Sequence, residues 1–349
     1  MGRVTDSTLF GLIHDFLKVY LPKQKKCSVH TIRAYQLSLE QLLDYVKEQN
    51  QIALADVTFE MLNQKAISGF LDWLEDERGC TVSTRNHKLK GIRSFFAYAA
   101  KMDSTTVIFH IEMRKVPRKK SVESDLIKHM SPDAVSALLA QPDAKTRKGL
   151  RDQCFMIMMY DAGARLQEML GLRLRDICLG KTPTITLTGK WSKVRSVPLM
   201  ESTVKHLQQY LKVFHPDANR DSDQLLFYVV RNGSAHTISG TNIRNFMEAY
   251  GRRARQSCPH VHEKVHPHLL RHSRAMHLYQ QGMDLTLVSQ WLGHASVQTT
   301  LIYAHADTEQ KRSAIEKATA AHDLLRNIPI TAPIDTNDEN VLKRLYGLK

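Results

Sequence analysis

The sequence predicts a mainly α protein with an all-helical first domain and a larger, mostly helical second domain that contains a small antiparallel β-sheet. Three observations predict this. Apolar residues recur at spacings of three and four through roughly the first 115 residues, the period of a helix with one buried face. Residues 184–188 then alternate in the pattern of a strand. A chain of 349 residues also exceeds one ordinary domain.

The first domain, residues 1–115, is predicted to contain three long helices. Ser28, Thr58 and Ser83 each precede a run of apolar residues at helical spacing and are the predicted starts of these helices. The third helix carries a cationic flank beside its apolar stripe: Arg85, Lys88, Lys90 and Arg93. Such a flank either contacts DNA in a groove or is simply a solvated face.

A polar and basic stretch, residues 116–130, is the predicted linker. The second domain, residues 131–315, begins with Ser131 as helix cap and Pro132 at the first helical position. Residues 154–160 are strongly apolar and predict a buried helix that Gly163 ends. Two strands, residues 184–188 and 194–199, flank a turn at 189–193, and helical patterns resume from residue 202. Residues 316–349 are the predicted C-terminal tail.

Composition narrows the class of protein. The net charge is +14 and the isoelectric point about 9.5, a balance that attracts polyanions such as nucleic acid, although it also aids solubility. No apolar stretch has the length of a membrane span, and no secretory signal pattern opens the chain. The five cysteines are far apart, without C-x-x-C, as in a reduced, cytoplasmic protein.

Four segments of the second domain contain side chains that could take part in catalysis. GARLQEML contains Arg165, GKWSKVRSVPL contains Lys190, HPHLLRH contains His268 and Arg271, and WLGHASVQTTLIYAH contains His294 and Tyr303. In this order the segments resemble the tyrosine recombinase (phage integrase, Xer-like) family. The first domain resembles the family's core-binding domain more loosely, so the resemblance covers roughly residues 8–315.

The resemblance implies that Tyr303 is a nucleophile that forms a 3′-phosphotyrosyl bond with DNA. Arg165 and Arg271 are then expected to fork onto the non-bridging phosphate oxygens, where negative charge develops during attack. His268 and His294 add hydrogen bonds, and one of them accepts the phenol proton. Lys190 protonates the departing 5′-oxygen, with Lys193 as its competitor for this role. The mechanism needs no cofactor, metal or ATP.

Each of these residues alone has a structural alternative. Arg165 can pair with Glu168 in the first turn of a helix, His268 and Arg271 can be a surface pair, and Tyr303 can be a packed aromatic residue. The sequence also departs from the family pattern at Ala164, where leucine is common, and at Trp191, where glycine often follows the lysine.

A second motif points to different chemistry. His262, Glu263 and His266 match H-E-x-x-H, the zinc-hydrolase pattern, which requires both histidines on one face of a helix. Pro267 follows His266 directly and disfavours helix there, so we expect these residues in the loop before the next helix and predict no metal site.

The expected partners are double-stranded DNA with specific recombination sites and three further copies of the chain, as a homotetramer on two duplexes that passes through a Holliday junction. A role as integrase or transposase of a mobile element is the first hypothesis, and a housekeeping Xer-type recombinase that resolves chromosome dimers is the alternative. A type IB topoisomerase and a zinc hydrolase are remoter alternatives. Part of the tail, residues 315–325 or 341–349, is the expected element that docks on a neighbouring protomer.

Overall fold

The structure is a computed structural model that describes residues 4–120, 128–189, 193–219, 221–294, 296, 298, 300–306 and 339–347. The chain divides into two units, residues 1–123 and 124–349, with separate hydrophobic cores. Lys190, Trp191, and residues 307–338 of the C-terminal part lie outside the described residues. No helix in the described part is long and apolar enough to cross a membrane.

The first unit is helical throughout its described residues. A π-helix, Phe16–Gln24, continues the first α-helix. The α-helices are α1 Ser7–Asp15, α2 Val29–Asn50, α3 Gln64–Asp76, α4 Val82–Met102 and α5 Val107–Lys115.

The caps of these helices decide where each begins. Ser28 caps α2 as predicted, because its hydroxyl accepts from the Thr31 backbone N–H. The other two predicted starts were wrong. Thr58 precedes a short 3₁₀ turn, and Asn63 caps α3 instead. Thr81 caps α4 two residues before Ser83, which lies inside the first turn.

The core of the first unit is built on aromatic rings. Phe16, Phe59, Phe70, Phe95 and Phe96 are each at most 3% exposed. The Phe59 and Phe95 rings stack with centroids 6.1 Å apart, and Phe95 meets Phe96 edge-on at 5.6 Å. These rings pack the turn before α3 against α4. The face of α4 that carries them is therefore buried, and the opposite face points away from the core.

The second unit combines helices with two small antiparallel sheets. Ser131 caps its first helix, with Pro132 at the first position, as predicted. The elements are α6 Pro132–Leu139, α7 Arg147–Ala162, α8 Leu166–Leu170, β1 Ile177–Cys178, β2 Thr184–Thr188, β3 Val194–Pro198, α9 Glu201–Phe214, β4 Tyr228–Arg231, β5 Ser234–Thr237, α10 Gly240–Ser257, α11 Pro267–Gln280, α12 Leu285–Leu292 and α13 Leu301–Ala306. A further short helix spans Glu339–Leu345.

The three-stranded sheet, in the order β1-β2-β3, contains both predicted strands. Thr184 pairs with Pro198 and Thr188 with Val194, and the Gly189 N–H donates to the Lys193 carbonyl at 2.8 Å. This hydrogen bond joins the two end residues of the predicted turn.

The hairpin of β4 and β5 was missed, because the prediction continued with helices. Its signal is Asn232-Gly233, both with positive φ (48° and 76°), the dipeptide that a tight hairpin turn prefers.

Candidate active site

The junction between α7 and α8 places Arg165. Gly163 ends α7 in the left-handed conformation, with φ +57°, and Arg165 is the N-cap residue of α8. The Arg165 backbone N–H donates to Glu168 Oε2 at 2.8 Å, and its Nη1 donates to Oε1 at 2.9 Å. Arg165 thus does pair with Glu168, as the structural alternative expects, yet its side chain is still 35% exposed, and the guanidinium has more N–H donors than the pairing uses.

Glu168 is a buried carboxylate held between two arginines. Its side chain is 2% exposed, and Arg195 of β3 donates to both of its oxygens at 2.8 Å. Burial alone raises the pKa of Glu168, but the hydrogen bonds from Arg195 and Arg165 outweigh that effect and lower it to about 2. Sequence reasoning missed Arg195, because only the folded hairpin brings residue 195 next to residue 168.

Arg271 lies in the second turn of α11 and is almost fully enclosed. Its Nη1 donates to the Gly163 carbonyl, and its Nη2 donates to the Leu292 carbonyl at 2.7 Å. Desolvation, together with the neighbouring Arg165 and Arg195 charges, lowers the pKa of Arg271 to about 10. A guanidinium this basic remains charged at neutral pH, so the site holds a fixed positive charge.

His268 and His294 lie in the field of the same two arginines. Desolvation and the Arg271 and Arg165 charges lower the pKa of His268, and the same causes lower the pKa of His294 to about 4. His294 Nδ1 is 2.8 Å from the Thr300 hydroxyl. The structure therefore brings together four predicted groups from α8, α11 and the end of α12, and both imidazoles are neutral at pH 7.

Tyr303 lies on α13 and is 0% exposed. Burial raises the pKa of its phenol to about 12, with the Arg271 charge acting in the opposite direction. Its hydroxyl is 2.9 Å from Nδ1 of His272, a residue that the sequence analysis did not select. The signal was present, because residues 268 and 272 are four apart and therefore share one face of α11.

The predicted general acid, Lys190, falls in the sequence between β2 and β3. Lys190 and Trp191 lie outside the described residues, but Gly189 is placed beside the site: a Cβ added there would be 3.0 Å from Glu168 Oε1 and 3.8 Å from Arg165 Nη1. Lys193 is exposed, and its Nζ donates to the His294 carbonyl at 3.2 Å. Both ends of the turn therefore lie next to the arginine and histidine groups.

The H-E-x-x-H residues lie in the loop between α10 and α11, as predicted. His262 Nδ1 accepts from the Lys264 backbone N–H, and His266 caps α11 by accepting from the Leu269 N–H. The two histidines therefore do not share one face of a helix. Within the described residues, no group of three or more His, Cys, Asp or Glu side chains is placed to hold a metal ion.

In the first unit, the cationic flank of α4 splits into two kinds of residue. Arg85 is 3% exposed, and its Nε lies 3.2 Å from Glu75 Oε2, so this buried side chain is not available to contact DNA and its prediction is corrected. Lys90 is exposed, while Lys88 and Arg93 are half-buried. Lys90 and Arg93 line a pocket of about 360 Å³ with His87 and Arg118.

The fold and these groups define a class, the tyrosine site-specific recombinases, enzymes that break and rejoin DNA. Residues 128–310 match the phage integrase family, and residues 13–102 match the family's N-terminal SAM-like domain. The chain belongs to this family.

Relatives of two kinds are similar to the chain. A putative integrase/recombinase, y4rC of Sinorhizobium fredii, is 32% identical over 89% of this chain and 92% of its own length. Tyrosine recombinase XerD of Listeria innocua is 31% identical over 84% of this chain and 93% of its own.

Two solved structures share the fold. The recombinase XerH bound to its difH substrate, in a post-cleavage complex, has a TM-score of 0.65 at 24% identity and covers 90% of each chain. The Tn1549 transposon integrase in complex with transposon right-end DNA has a TM-score of 0.64 at 15% identity, over 88% of this chain and 99% of that one. At these identities the likeness extends to the fold alone.

Proposed function

We propose that the chain recombines specific DNA sites through a covalent bond between Tyr303 and the 3′-phosphate of the cut strand. The observation that carries this proposal is that predicted site residues meet at the end of α12, where Arg271 and Arg165 donate to the neighbouring Leu292 and Gly293 carbonyls, directly before His294. The Arg271 charge also acts on His268 and on the Tyr303 phenol. Fixed cationic donors around one nucleophile suit the charge that develops on a phosphodiester under attack.

In the proposed reaction the Tyr303 oxygen attacks phosphorus, and the bond from phosphorus to the 5′-oxygen breaks. Arg165 and Arg271 donate to the non-bridging oxygens. The proposed general acid, Lys190, gives its proton to the 5′-oxygen, while a neutral imidazole accepts the phenol proton. The phosphotyrosyl bond keeps the energy of the bond that was cut, so a 5′-hydroxyl can reverse the step without ATP.

The proposal requires Tyr303 to leave its described position before it attacks. A phenol with no exposed surface cannot meet a DNA phosphate, and a pKa of about 12 leaves it protonated at neutral pH. Access to the Arg271 charge lowers the cost of the phenolate once burial is relieved. Cleavage is therefore expected only when assembly on DNA repositions α13.

DNA binding is assigned to both units. The second unit binds the scissile phosphate as described above, and the first binds the DNA backbone. In the first unit, the pocket of Lys90, Arg93 and Arg118 offers three cations to the DNA backbone. Lys88 is a weaker candidate, because desolvation lowers its pKa and it is half-buried. Phosphate contacts of this kind set affinity and position, and leave the target sequence to base contacts.

The working form is proposed to be four protomers on two duplexes, joined by the C-terminal tail. The candidate docking segments are residues 315–325, which lie outside the described residues, and residues 341–349, which overlap the helix Glu339–Leu345. Truncation after Asp307 should abolish assembly on paired sites while single-site binding persists. Unchanged pairing of sites in that truncation would contradict this part of the proposal.

Within the family, we propose the role of integrase or transposase of a mobile element. The similarity to the putative integrase/recombinase of Sinorhizobium fredii supports this role, and the nearly equal identity to XerD supports the housekeeping alternative. Sequencing of DNA that is covalently trapped on the protein in cells separates the two. Adducts at the ends of an element support the first role, and adducts at a single chromosomal site support the second.

The test of the activity compares wild type with Tyr303→Phe on DNA carrying such a trapped site. Wild type should form an adduct that resists denaturation, with and without EDTA. Tyr303→Phe should bind equally and form none, whereas Tyr20→Phe, a control that keeps its ring against the core of the first unit, should behave as wild type. Loss of cleavage in EDTA would support the zinc hydrolase, and relaxation of supercoiled DNA without any specific site would support a topoisomerase.

A further inference from the structure

The end of α12 presents four consecutive backbone carbonyls, and each accepts a hydrogen bond from a different cationic side chain. The pairs are Arg195 Nε to the Trp291 carbonyl at 2.9 Å, Arg271 Nη2 to the Leu292 carbonyl at 2.7 Å, Arg165 Nη2 to the Gly293 carbonyl at 3.2 Å, and Lys193 Nζ to the His294 carbonyl at 3.2 Å. We call residues 291–294 the carbonyl row.

Helix geometry explains why these carbonyls are available. The last carbonyls of a helix have no partner within it and carry the negative end of its dipole. Gly293 ends α12 in the left-handed conformation, with φ +64°, which turns the chain at the required point. Cations are therefore the natural partners of the carbonyl row, and three of them come from separate elements: β3, α11 and the start of α8.

Arg195 differs from Arg165 and Arg271 because the proposed reaction gives it no contact with the phosphate. Its side chain is 10% exposed, and its three nitrogens are all engaged, two with Glu168 and one with the Trp291 carbonyl. A Cβ on Gly293 would lie 2.9 Å from Arg195 Cδ and Nη1, so this close packing requires glycine there. A guanidinium so enclosed holds other groups in place.

The group that Arg195 holds is Glu168, and Glu168 in turn holds Arg165. Both Glu168 oxygens accept from Arg195, and each also accepts one bond from Arg165, one from its backbone N–H and one from its guanidinium. A chain of hydrogen bonds therefore connects the carbonyl row to Arg195, Arg195 to Glu168, and Glu168 to Arg165. A lysine cannot replace Arg195, because an ammonium lacks the planar fork that spans a carboxylate and a third donor aimed at Trp291.

We propose that Arg195 is a positioning residue, which acts through Glu168 to fix the Arg165 guanidinium where it meets the scissile phosphate. This inference rests on the proposed function. It predicts that Arg195 affects the cleavage rate and that this effect depends on Arg165 being present.

The experiment is a double-mutant cycle in full-length protein, measured as the single-turnover rate of adduct formation at saturating protein, with the dissociation constant for DNA measured in parallel. Arg195→Lys should lower the cleavage rate about 10- to 100-fold, the scale expected for a misplaced catalytic group, and should change affinity little. In an Arg165→Lys background the same change should cost less than about threefold, because the group it positions is already impaired.

The matched control is Arg252→Lys, since Arg252 also pairs with a glutamate, Glu248, but on an exposed helix face. It should leave cleavage unchanged in both backgrounds. Where Arg195→Lys does not fold, Glu168→Gln takes its place, because it keeps the shape of the side chain and removes the charge that Arg165 faces.

Three results would overturn the inference: wild-type cleavage by a folded Arg195→Lys, an equal loss in both backgrounds, or a loss confined to affinity. The proposed function fails in a different way, because wild type itself would then form no adduct at Tyr303.

Discussion

Both units bury aromatic rings, but the second also buries several charged side chains. Among the described residues, the first unit encloses one charged side chain, Arg85, whereas the second encloses Asp152, Asp161, Glu168 and Arg271. The Asp152 carboxylate alone is met by Lys148, Arg151 and Tyr250. The two units of the chain thus differ in how much charge they enclose.

Stability does not explain this difference. A buried charge loses hydration, and a buried ion pair is often no better for stability than apolar residues of the same volume. What a buried pair provides is a charge that is already oriented when the substrate arrives. The contrast therefore fits the proposal that the second unit carries out the chemistry and the first unit binds DNA.

The largest expected effect is that of Arg271→Lys on cleavage. The guanidinium bridges the Gly163 and Leu292 carbonyls, which an ammonium cannot do while facing a phosphate. The single-turnover rate should fall on the order of a thousandfold, about 4 kcal/mol of transition-state stabilisation. Arg274→Lys is the control, because Arg274 lies on the same helix and pairs with Asp161. Cleavage at the wild-type rate by Arg271→Lys would contradict the assignment.

The next largest effect concerns acid, which should unfold the two units at different pH values. The pKa of Glu168 is lowered from 4.5 to about 2, so its contribution to folding is present above pH 4.5 and is lost as the pH falls from 4.5 toward 2. The amount is about 3 kcal/mol. The pKa values of His272 and His294 are lowered from 6.5 to about 4, so their contribution is lost between pH 6.5 and 4.

The second unit should therefore unfold at a higher pH than the first. Two variants measure this by fluorescence during acid titration: one keeps only Trp73, in the first unit, and the other keeps only Trp291, in the second. Coincident transitions would show that the buried charges do not set the acid stability of their unit.

A smaller effect is expected at the pocket of the first unit. Lys90→Ala should weaken DNA binding about three- to tenfold and reduce the salt dependence of the binding constant by about one ion. Cleavage at saturating protein should not change. Lys65→Ala, an exposed lysine of α3 outside this pocket, is the control. A slower cleavage step with unchanged affinity would contradict the proposal that the first unit contributes to binding and not to chemistry.

The smallest effect is the coupling of Tyr303 to His272. Removal of either polar group should cost about 1 kcal/mol of unfolding free energy, and the double variant should show that the losses are not additive. Urea unfolding of Tyr303→Phe, of His272→Leu and of the double variant measures these losses. His272→Asn is the control, because it keeps a polar side chain at this position. Additive losses would mean that the contact does not hold the resting phenol.

Sequence alone predicted much of this protein. The alternation of Thr184–Thr188 and the cap at Ser131 are local signals, because strand alternation and helix capping depend on neighbouring residues. The four segments indicated the family, and the side chains proposed to react, for the same reason, since each is a short contiguous motif.

Tertiary structure decided the rest. The burial of Arg85, the contact between His272 and Tyr303, and the place of Arg195 join residues that lie 10, 31 and 27 positions from their partners Glu75, Tyr303 and Glu168. No local pattern encodes such pairs, because long-range contacts depend on how whole elements pack together. The sequence by itself determined which groups are candidates for the proposed reaction, because they lie in short contiguous motifs, and the packing of α8, β3, α11 and α12 decided which groups contact them.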